Sequence, residues 1–386
     1  MTQTASTMDA RTWHRPFAGL CAAILLTFVS FGAAVPVLPR LITRDLSGPD
    51  LTVGAAFALS AVAALLARPY VGRFAQRGDA RAVIAAGAAT AALLGPGYAC
   101  AAALGDTAGT TTLLALRVVM GLAEAAVFTS GSLWVVAIAP EDRRGQLVGW
   151  YGLAMWSGWT LGPLLGEALR REHGYNAVWT LHTILPIAAA ALALSLTRPD
   201  LGTGLASRRL IPRPVIVPGT ALALAAVGYS ALAGFVVLHL DERDAGGGSL
   251  TLAAFGAAYI AVRLLFGRLP DRVGGARIAI ACGLLEAAGL LLIAVAQTSW
   301  LAILGALIMG AGFTLLYPSL ALLIINRSKP EERGAALGAF TSFWDLGLGA
   351  AGLLTGAIAT TLGYPAVFLA AAASAALAAL AGRLSR

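Results

Sequence analysis

Two acidic side chains lie deep inside apolar segments of the chain, where an ionised group is costly. Glu124 lies near the middle of segment 110–139, and Asp345 lies at a similar depth in segment 334–359. A charge at the centre of a membrane-spanning helix costs about 2.5 kcal/mol or more on insertion scales, so such residues are expected to face protein or a water-filled cavity. A carboxyl group that alternates between an apolar environment and the neighbourhood of a cation takes up and releases a proton. The two acids are therefore candidate proton carriers.

A basic residue shares a helix face with the first of these acids. Arg117, Gly121 and Glu124 occupy positions i, i+4 and i+7, which lie on one side of an α-helix. At a rise of about 1.5 Å per residue, the Cα atoms of Arg117 and Glu124 are about 10 Å apart, a distance that a water molecule or a substrate group can bridge. Arg117 is thus a candidate for proton coupling, and a permanent structural bridge to Glu124 is the alternative interpretation.

The composition indicates that membrane-spanning helices position these residues. Of the 386 residues, 58% are hydrophobic and 12% are charged, and the mean hydropathy is +0.80. Apolar stretches long enough to cross a hydrocarbon core of about 30 Å recur along the chain. We predict an all-α, polytopic membrane protein with 12 transmembrane helices. The predicted spans, numbered 1 to 12 in chain order, are 16–38, 50–71, 82–104, 110–139, 146–169, 175–197, 215–240, 249–270, 277–296, 300–326, 334–359 and 365–383.

The distribution of basic residues predicts the orientation of these spans. With the N-terminus inside, 19 of the 27 Lys and Arg residues fall in inner loops and tails, and five fall in outer loops. The positive-inside rule then places both termini in the cytoplasm, with the protein in the inner (plasma) membrane. The net charge of +8 is spread over short loops, which argues against nucleic acid as a partner. The three cysteines lack metal-ligand spacing, so we expect no metal site and no cofactor.

A repeated pattern indicates an internal duplication. The stretches "GRLPDRVGGAR" (267–277) and "GRFAQRGDAR" (72–81) are similar, and an arginine, Arg263 or Arg68, lies four residues before each. A second echo pairs "PEDRRG" with "PEERG" at corresponding inner loops. The pattern predicts two related six-helix units.

These units divide the chain into two bundles and a linker. The predicted N-terminal bundle is 1–197, the predicted C-terminal bundle is 215–386, and a polar, Pro-containing cytoplasmic linker covers 198–214. Membrane transporters built from such repeats bind their substrate between the two halves. We therefore expect the acids of spans 4 and 11 to meet at a central cavity.

The repeated stretch resembles a loop motif of the major facilitator superfamily, G-x-L-a-D-R-x-G-r-r, and the resemblance to that family covers essentially the whole chain. In the family this loop helps to hold the two halves together at the cytoplasmic side, so the resemblance implies a gating role. Gln76 replaces the acidic residue in the first copy. The matching residues are Gly72, Arg73, Arg77, Gly267, Asp271 and Arg272.

Two further stretches resemble motifs of the same family. "RVVMGLAEAA" in span 4 is similar to an R-x-x-x-G motif associated with proton coupling, and "GWTLGPLLGE" in span 5 is similar to a motif found mainly in exporters. The second stretch places Gly158, Gly162 and Gly166 on one helix face, beside Pro163. The resemblance implies that this face meets span 8 of the other half in a tight seam. Ordinary small-residue packing is the alternative.

We interpret three other charged residues within spans as structural. Arg263 in span 8 is a plausible partner for Glu286 in span 9, so we predict an ion pair between them. Arg68 lies close enough to the cytoplasmic end of span 2 for its charged group to reach the membrane surface.

Aromatic side chains cluster in spans 4, 5, 7, 10 and 11. Some are expected at the membrane interfaces, and those that face the central cleft offer flat apolar and cation–π contacts. An apolar cavity with few charges suits a small amphipathic or hydrophobic organic molecule. The candidate residues of this substrate cavity are Phe128, Trp150, Trp156, Tyr229, Tyr317, Phe340 and Trp344.

The resemblance implies a secondary active transporter that works by alternating access. The twelve-span drug:proton antiporter branch is the most similar, which implies proton-coupled efflux, with a small-molecule substrate, protons and the lipid bilayer as partners and a monomer as the working unit. Proton-coupled uptake and a non-transporting ligand sensor are the alternatives. The sequence lacks a G-x-x-x-x-G-K-[ST] phosphate-binding stretch and a Ser-His-Asp or Cys-His arrangement, so we expect neither ATP use nor catalytic residues of an enzyme.

Overall fold

A computed structural model describes residues 13–140, 143–198, 213–329 and 333–384. Long helices make up almost all of this part of the chain. Within these ranges the backbone is helical apart from short connecting turns. Most of the predicted linker lies outside the described residues, and so do parts of the similar stretches "PEDRRG" (140–145) and "PEERG" (330–334). The predicted all-α architecture is confirmed.

Spans 1 to 6 form the N-terminal half. Local signals explain several of their ends: Gly105 and Gly174 adopt positive φ between consecutive helices, and Asp79 accepts a hydrogen bond from the backbone N–H of Arg81 at the start of span 3. Span 1 is followed by a short helix and a π-helical turn. The helices are His14–Ala34, Leu38–Arg40, Leu41–Asp45, Asp50–Arg77, Ala80–Ala92, Leu94–Leu104, Asp106–Ile138, Arg144–His173 and Tyr175–Ser195.

Spans 7 to 12 form the C-terminal half in the same order. A short helix lies between spans 8 and 9, and Gly363 with positive φ separates spans 11 and 12. The helices are Arg213–Val215, Ile216–Asp241, Gly248–Phe266, Leu269–Val273, Gly275–Val295, Ser299–Arg327, Arg333–Leu362 and Tyr364–Leu384.

Eleven of these segments are long and apolar enough to cross a membrane, counted over the described residues. Span 5, Arg144–His173, is as long as the others but is not one of the eleven, because it carries many glycine, tryptophan and polar residues. It packs against spans 1, 6 and 8 within the bundle. Span 5 therefore differs from the other eleven spans in its composition and not in its position in the bundle.

Span 2 is longer than predicted. The sequence placed its end at residue 71, but the helix continues to Arg77, so Gly72 and Arg73 lie in its last turns. In the second copy of the repeat the helix stops at Phe266 and a new one starts at Leu269, because Pro270 lacks the backbone N–H that a continuing helix needs. The two copies of the repeat thus adopt different local structures.

The two halves meet along two helix pairs, spans 2 and 11 and spans 5 and 8. At the first seam Gly54 lies against the backbone of Gly352 and Gly356, and at the second Gly256 lies against the side chain of Thr160. A side chain at these glycines would occupy space that the partner helix fills. Small residues therefore allow the halves to approach closely, as is common between membrane helices.

The glycine face of span 5 packs within its own half, which corrects the expectation that it meets span 8. A Cβ atom at Gly158 would contact Phe28, and one at Gly162 or Gly166 would contact Gly32 or Ala33, all in span 1. Thr160, which does face span 8, follows Gly158 by two residues and so lies about 200° away around the helix. The motif therefore joins spans 1 and 5.

The contact at Gly162 predicts a loss of stability on adding one methyl group. A Cβ atom there would lie 2.6 Å from the Cα atom of Gly32, whereas one at Gly149 in the same helix would have no atom within 4 Å. We expect Gly162→Ala to lower the free energy of unfolding by about 1–3 kcal/mol through overpacking. Gly149→Ala should keep or slightly raise stability, since alanine favours helix. Thermal melts of the two purified variants test this, and equal melting temperatures would contradict it.

Candidate functional site

A cluster of three charged side chains lies at the centre of the bundle and joins its two halves. Arg68 of span 2 donates from Nε to Oδ2 of Asp345 in span 11 at 2.7 Å, and from Nη2 to Oδ1 at 3.0 Å. Oε1 of Glu124 in span 4 lies 4.0 Å from Nη2 of Arg68. We call Arg68, Glu124 and Asp345 the central ion cluster. The structure thus brings together the two predicted proton carriers, through an arginine.

The three members of the central ion cluster differ in their access to solvent. The side chain of Asp345 is 4% exposed and that of Arg68 is 16% exposed, whereas that of Glu124 is 25% exposed. Asp345 is held by two hydrogen bonds from a charged donor, which are stronger than neutral ones. Among the residues that the structure describes, Glu124 has only the long contact to Arg68. Its carboxylate is therefore the more exposed of the two.

Arg68 corrects an expectation from the sequence, because its guanidinium does not extend to the membrane surface. Since span 2 continues to Arg77, Arg68 lies more than two turns inside the helix. Its guanidinium lies over the ring of Phe128, 5.6 Å from the centroid, and Nη1 is 3.5 Å from the hydroxyl of Thr129. Both neighbours belong to span 4, so span 4 orients the arginine toward Asp345.

Arg117 lies apart from the acid with which it shares a helix face. Its Nε donates to the backbone carbonyl of Ala56 and its Nη2 to the hydroxyl of Ser60, each at 3.0 Å. The guanidinium is buried and lies over the ring of Phe57. In this conformation Arg117 therefore ties span 4 to span 2 and does not contact Glu124.

The predicted ion pair between Arg263 and Glu286 does not form. Glu286 is fully buried and its carboxyl oxygens have no hydrogen-bond partner in the described part of the chain. Its Oε1 faces Gly228 of span 7, inside the C-terminal half. Arg263 lies one turn after Tyr259, which faces the centre of the protein. Arg263 thus lies on the face of span 8 that carries Tyr259, whereas Glu286 of span 9 faces span 7. The predicted ion pair is therefore wrong.

Six aromatic side chains from both halves pack around the central axis, and we call them the aromatic cage. Trp156 of span 5 stacks on Tyr259 of span 8 with ring centroids 4.3 Å apart. Tyr229 lies 5.7 Å from both Trp156 and Trp344 by the same measure. A small apolar cavity adjoins these rings. The cage consists of Trp156, Tyr229, Phe255, Tyr259, Phe313 and Trp344.

The remaining candidates for the substrate cavity lie elsewhere. Phe128 packs beside Arg68, as described above, and Tyr317 and Phe340 contact each other with centroids 4.9 Å apart, Phe340 being fully buried. Trp150 is half exposed and no ring contact is described for it. Only Trp156, Tyr229 and Trp344 of the seven candidates are therefore in the cage.

Half of the cage was not predicted from the sequence. Phe255 and Tyr259 are four residues apart in span 8, so they lie on one helix face, and Phe313 lies in span 10. The spacing of Phe255 and Tyr259 could have been recognised in the sequence. What the sequence did not provide was the rotation of span 8 that turns this face toward the centre.

The residues of the loop motif lie at the end of the bundle that carries the termini, which we call the predicted cytoplasmic face. Arg73 donates to the carbonyl of Pro69 at 3.2 Å and lies over Tyr70 in its own helix, and Arg77 lines a surface hollow with them. Asp271 and Arg272 are exposed on the short helix after span 8. Their gating role stays a prediction.

Between the aromatic cage and the predicted cytoplasmic face, one side of span 5 has free space beside it. Gly145, Gly149 and Gly152 precede Trp156 on the same face of span 5, at spacings that return to one side of the helix. A Cβ atom at any of them would have no atom within 4 Å, and the same holds for Gly338 in span 11. Spans 5 and 11 thus each have free space beside them toward this face.

At the opposite end, the predicted outer face, a second set of charges joins the halves. Arg40 donates to Oδ2 of Asp241 at 2.6 Å and to Oε2 of Glu167 at 2.7 Å, and only 6% of its surface is exposed. Arg44 reaches Asp241, and Arg170 and Arg171 reach Glu167. We call these six residues the outer ion cluster. Sequence reasoning missed it, since it counted the arginines as exposed loop charges.

Comparison with known proteins agrees with this architecture. Residues 20–244 and 219–385 each match the Major Facilitator Superfamily. The chain belongs to that superfamily. It is 31% identical over 360 residues to the MFS-type transporter YhhS of Escherichia coli K12, covering 92% of this chain and 88% of that protein. This superfamily member is therefore a multi-pass membrane transporter.

Solved structures of the superfamily share the fold at low sequence identity. A mutant of the nucleoside transporter NupG superposes with a TM-score of 0.77 at 14% identity, covering 96% of this chain and 99% of that one. A bacterial homologue of the human lysosomal transporter Spinster, solved in an inward-facing and occupied conformation, gives 0.75 at 15% identity, covering 96% of each chain. The likeness extends over both halves.

Proposed function

We propose that this protein is a proton-coupled exporter of small amphipathic or hydrophobic organic molecules, acting as a monomer in the inner (plasma) membrane with both termini in the cytoplasm. The observation that carries the proposal is the central ion cluster. A partly exposed carboxylate, Glu124, lies beside an arginine that bridges the two halves through Asp345. Charged residues inside a bundle of membrane helices are typical of proton pathways.

The arrangement supports a specific way of coupling a proton to a change of shape. Arg68 and Glu124 belong to the N-terminal half, whereas Asp345 belongs to the C-terminal half. When Asp345 is ionised, the bidentate contact with Arg68 ties the halves together. When Asp345 takes a proton, the guanidinium of Arg68 pairs with Glu124 instead. The ion pair then lies within the N-terminal half and no longer connects the two halves. The site of protonation thus decides whether the halves are joined at this level.

The substrate would bind next to this switch. The aromatic cage offers flat apolar surface from both halves, and Trp344 of the cage is the neighbour in sequence of Asp345. A molecule that packs in the cage can therefore change the environment of the carboxyl group. Binding and protonation would compete or cooperate through Asp345, as coupling between sites requires.

One feature favours export over uptake. Span 5 carries the stretch that resembles the exporter motif, although its glycine face packs on span 1. Uptake uses the same cycle in reverse, so the two functions differ in the direction in which protons move relative to the compound.

Reconstituted vesicles with a pH-sensitive dye inside separate these functions. One test compound at a time is given as a gradient across the membrane while the internal pH is followed. Export by exchange moves protons against the direction of the compound, whereas uptake by cotransport moves them with it. A gradient that dissipates without any pH change contradicts proton coupling, and a compound that binds but never crosses identifies a ligand sensor.

A further inference from the structure

Two tyrosines occupy equivalent positions in the two halves, each directly after a turn at the predicted outer face. The stretches "GYNAVW" (174–179) and "GYPAVF" (363–368) are similar, and the glycine that opens each of them adopts positive φ. The tyrosines that follow, Tyr175 and Tyr364, are the first residues of spans 6 and 12. The duplication thus places one tyrosine hydroxyl at the outer end of each half.

The two hydroxyl groups differ in the half of the protein that they bind. Tyr175 donates to Oδ2 of Asp45 at 2.9 Å, and both of these residues belong to the N-terminal half. Tyr364 donates to Oδ1 of Asp50 at 3.0 Å. Asp50 is the first residue of span 2 in the N-terminal half, whereas Tyr364 belongs to the C-terminal half. Of the two tyrosines, Tyr364 is therefore the one whose hydroxyl connects the halves.

The hydroxyl of Thr360 makes a second connection beside this one. Span 2 begins after Pro49, which has no side-chain oxygen to accept from the free N–H groups of the first helical turn. The backbone N–H of Leu51 instead donates to Oγ1 of Thr360 in span 11 at 3.1 Å. The start of a helix in one half is thus capped by a side chain of the other half.

These two hydrogen bonds lie at the outer end of the seam between spans 2 and 11. Gly352, Gly356 and Thr360 recur every four residues, so they lie along one side of span 11. A Cβ atom at Gly356 would lie 3.1 Å from the Cα atoms of both Gly54 and Leu51 in span 2. The helices are therefore in close contact up to the point where the hydrogen bonds form.

We propose that Tyr364 is a gating residue, and that its bond to Asp50, together with the bond between Leu51 and Thr360, forms a latch that keeps the predicted outer face closed. Opening that face separates spans 2 and 11 at this end and breaks both bonds. Loss of one hydrogen bond to a carboxylate corresponds to about tenfold in an equilibrium constant. The latch acts whatever compound is carried and whether or not protons move, so it goes beyond the proposed function and does not depend on it.

The reactivity of a cysteine buried between the halves tests the latch. Val53 of span 2 is fully buried, and a Cβ atom at Gly234 of span 7 would lie 3.9 Å from it, so Val53→Cys can react with a thiol reagent only when the halves part. Cys282, buried inside the C-terminal half, stays in the same chain as an internal reference, and Cys21 and Cys100 are replaced by alanine. The labelling rates of both cysteines by a charged methanethiosulfonate are measured by mass spectrometry on purified protein in lipid nanodiscs.

We expect Tyr364→Phe to raise the labelling rate at residue 53 about tenfold and to leave that of Cys282 unchanged, because the population with separated halves increases while each half keeps its fold. Tyr175→Phe is the matched control. It removes the same hydroxyl at the equivalent position of the repeat, but the bond that it breaks lies within one half, so the rate at residue 53 should stay as in the protein with Tyr175. Thr360→Val, which removes the second bond of the latch, should also raise the rate at residue 53.

The proposal is overturned if Tyr364→Phe leaves the rate at residue 53 unchanged, or if Tyr175→Phe raises that rate equally. An equal rise at Cys282 also overturns it, since the hydroxyl then stabilises the whole fold and not the contact between the halves. Should Tyr364→Phe not fold, Thr360→Val decides the outcome by the same comparison.

The labelling experiment keeps the latch apart from the proposed function, because it needs neither a transported compound nor a proton gradient. If no proton moves when a compound crosses vesicle membranes, the proposed coupling fails and a latch shown by labelling stands. If protons move but Tyr364→Phe does not change the labelling rate at residue 53, the latch fails and the coupling stands.

Discussion

Glu124→Gln is expected to abolish transport against a concentration gradient when a proton gradient is the only source of energy. The amide keeps the shape and the polarity of the side chain but cannot exchange a proton. Since Glu124 is the more exposed carboxylate of the central ion cluster, its loss leaves Arg68 bound to Asp345 with no second carboxylate in the cluster. We expect proton-driven accumulation in vesicles to fall by about a hundredfold, a typical contribution of one positioned proton-transfer group.

Exchange of the compound across the membrane without a gradient should be affected far less, because it needs rearrangement but no net proton movement. Glu172→Gln makes the same chemical change at a side chain that is 74% exposed at the predicted outer face, and should behave as unmodified protein. Glu124→Asp, which keeps a titratable group, should retain part of the activity. Unimpaired accumulation by Glu124→Gln would remove this residue from the mechanism.

Asp345→Asn is expected to destabilise the protein strongly, because it leaves Arg68 without its bidentate partner. Removing one member of a buried ion pair typically costs about 3–5 kcal/mol, since the remaining charge is uncompensated. Arg68→Gln should cost a similar amount, as it leaves Asp345 buried without a cation. Melting temperatures of the purified single variants, at one detergent concentration and pH, measure both effects.

The double variant Arg68→Gln, Asp345→Asn separates a pair from two independent contributions. If the two residues act mainly on each other, the double variant should be more stable than either single variant. It should still fail to couple protons, because the bridge between the halves is gone. Additive losses of stability would show that the contact between Arg68 and Asp345 contributes little to the free energy of unfolding.

Much of the fold was predictable, because the length and apolarity of each span reflect a local requirement of the bilayer. The acids of the site were found for a similar reason. Glu124 and Asp345 stand out in apolar segments, and the cost of burying a charge is independent of the details of packing. The duplication then placed one acid in each half, so their meeting at the centre was expected.

Contacts between helices were predicted poorly, because they depend on how each helix is rotated about its axis. Arg117 shares a face with Glu124 but binds span 2, and Arg263 and Glu286 lie in consecutive spans but face different neighbours. Arg68 was misplaced because the end of span 2 was set six residues too early. Sequence spacing describes one helix at a time, whereas the site is made between helices.

The outer ion cluster has a consequence for the empty carrier. To open at the predicted outer face, the protein must separate Arg40 and Arg44 of the N-terminal half from Asp241 of the C-terminal half, whereas the pair of Arg40 and Glu167 lies within one half and can persist. We therefore expect the unloaded protein to favour a conformation that is closed at the predicted outer face. If the protein exports as proposed, a released compound meets this closed face, and its re-entry by the same route should be slow.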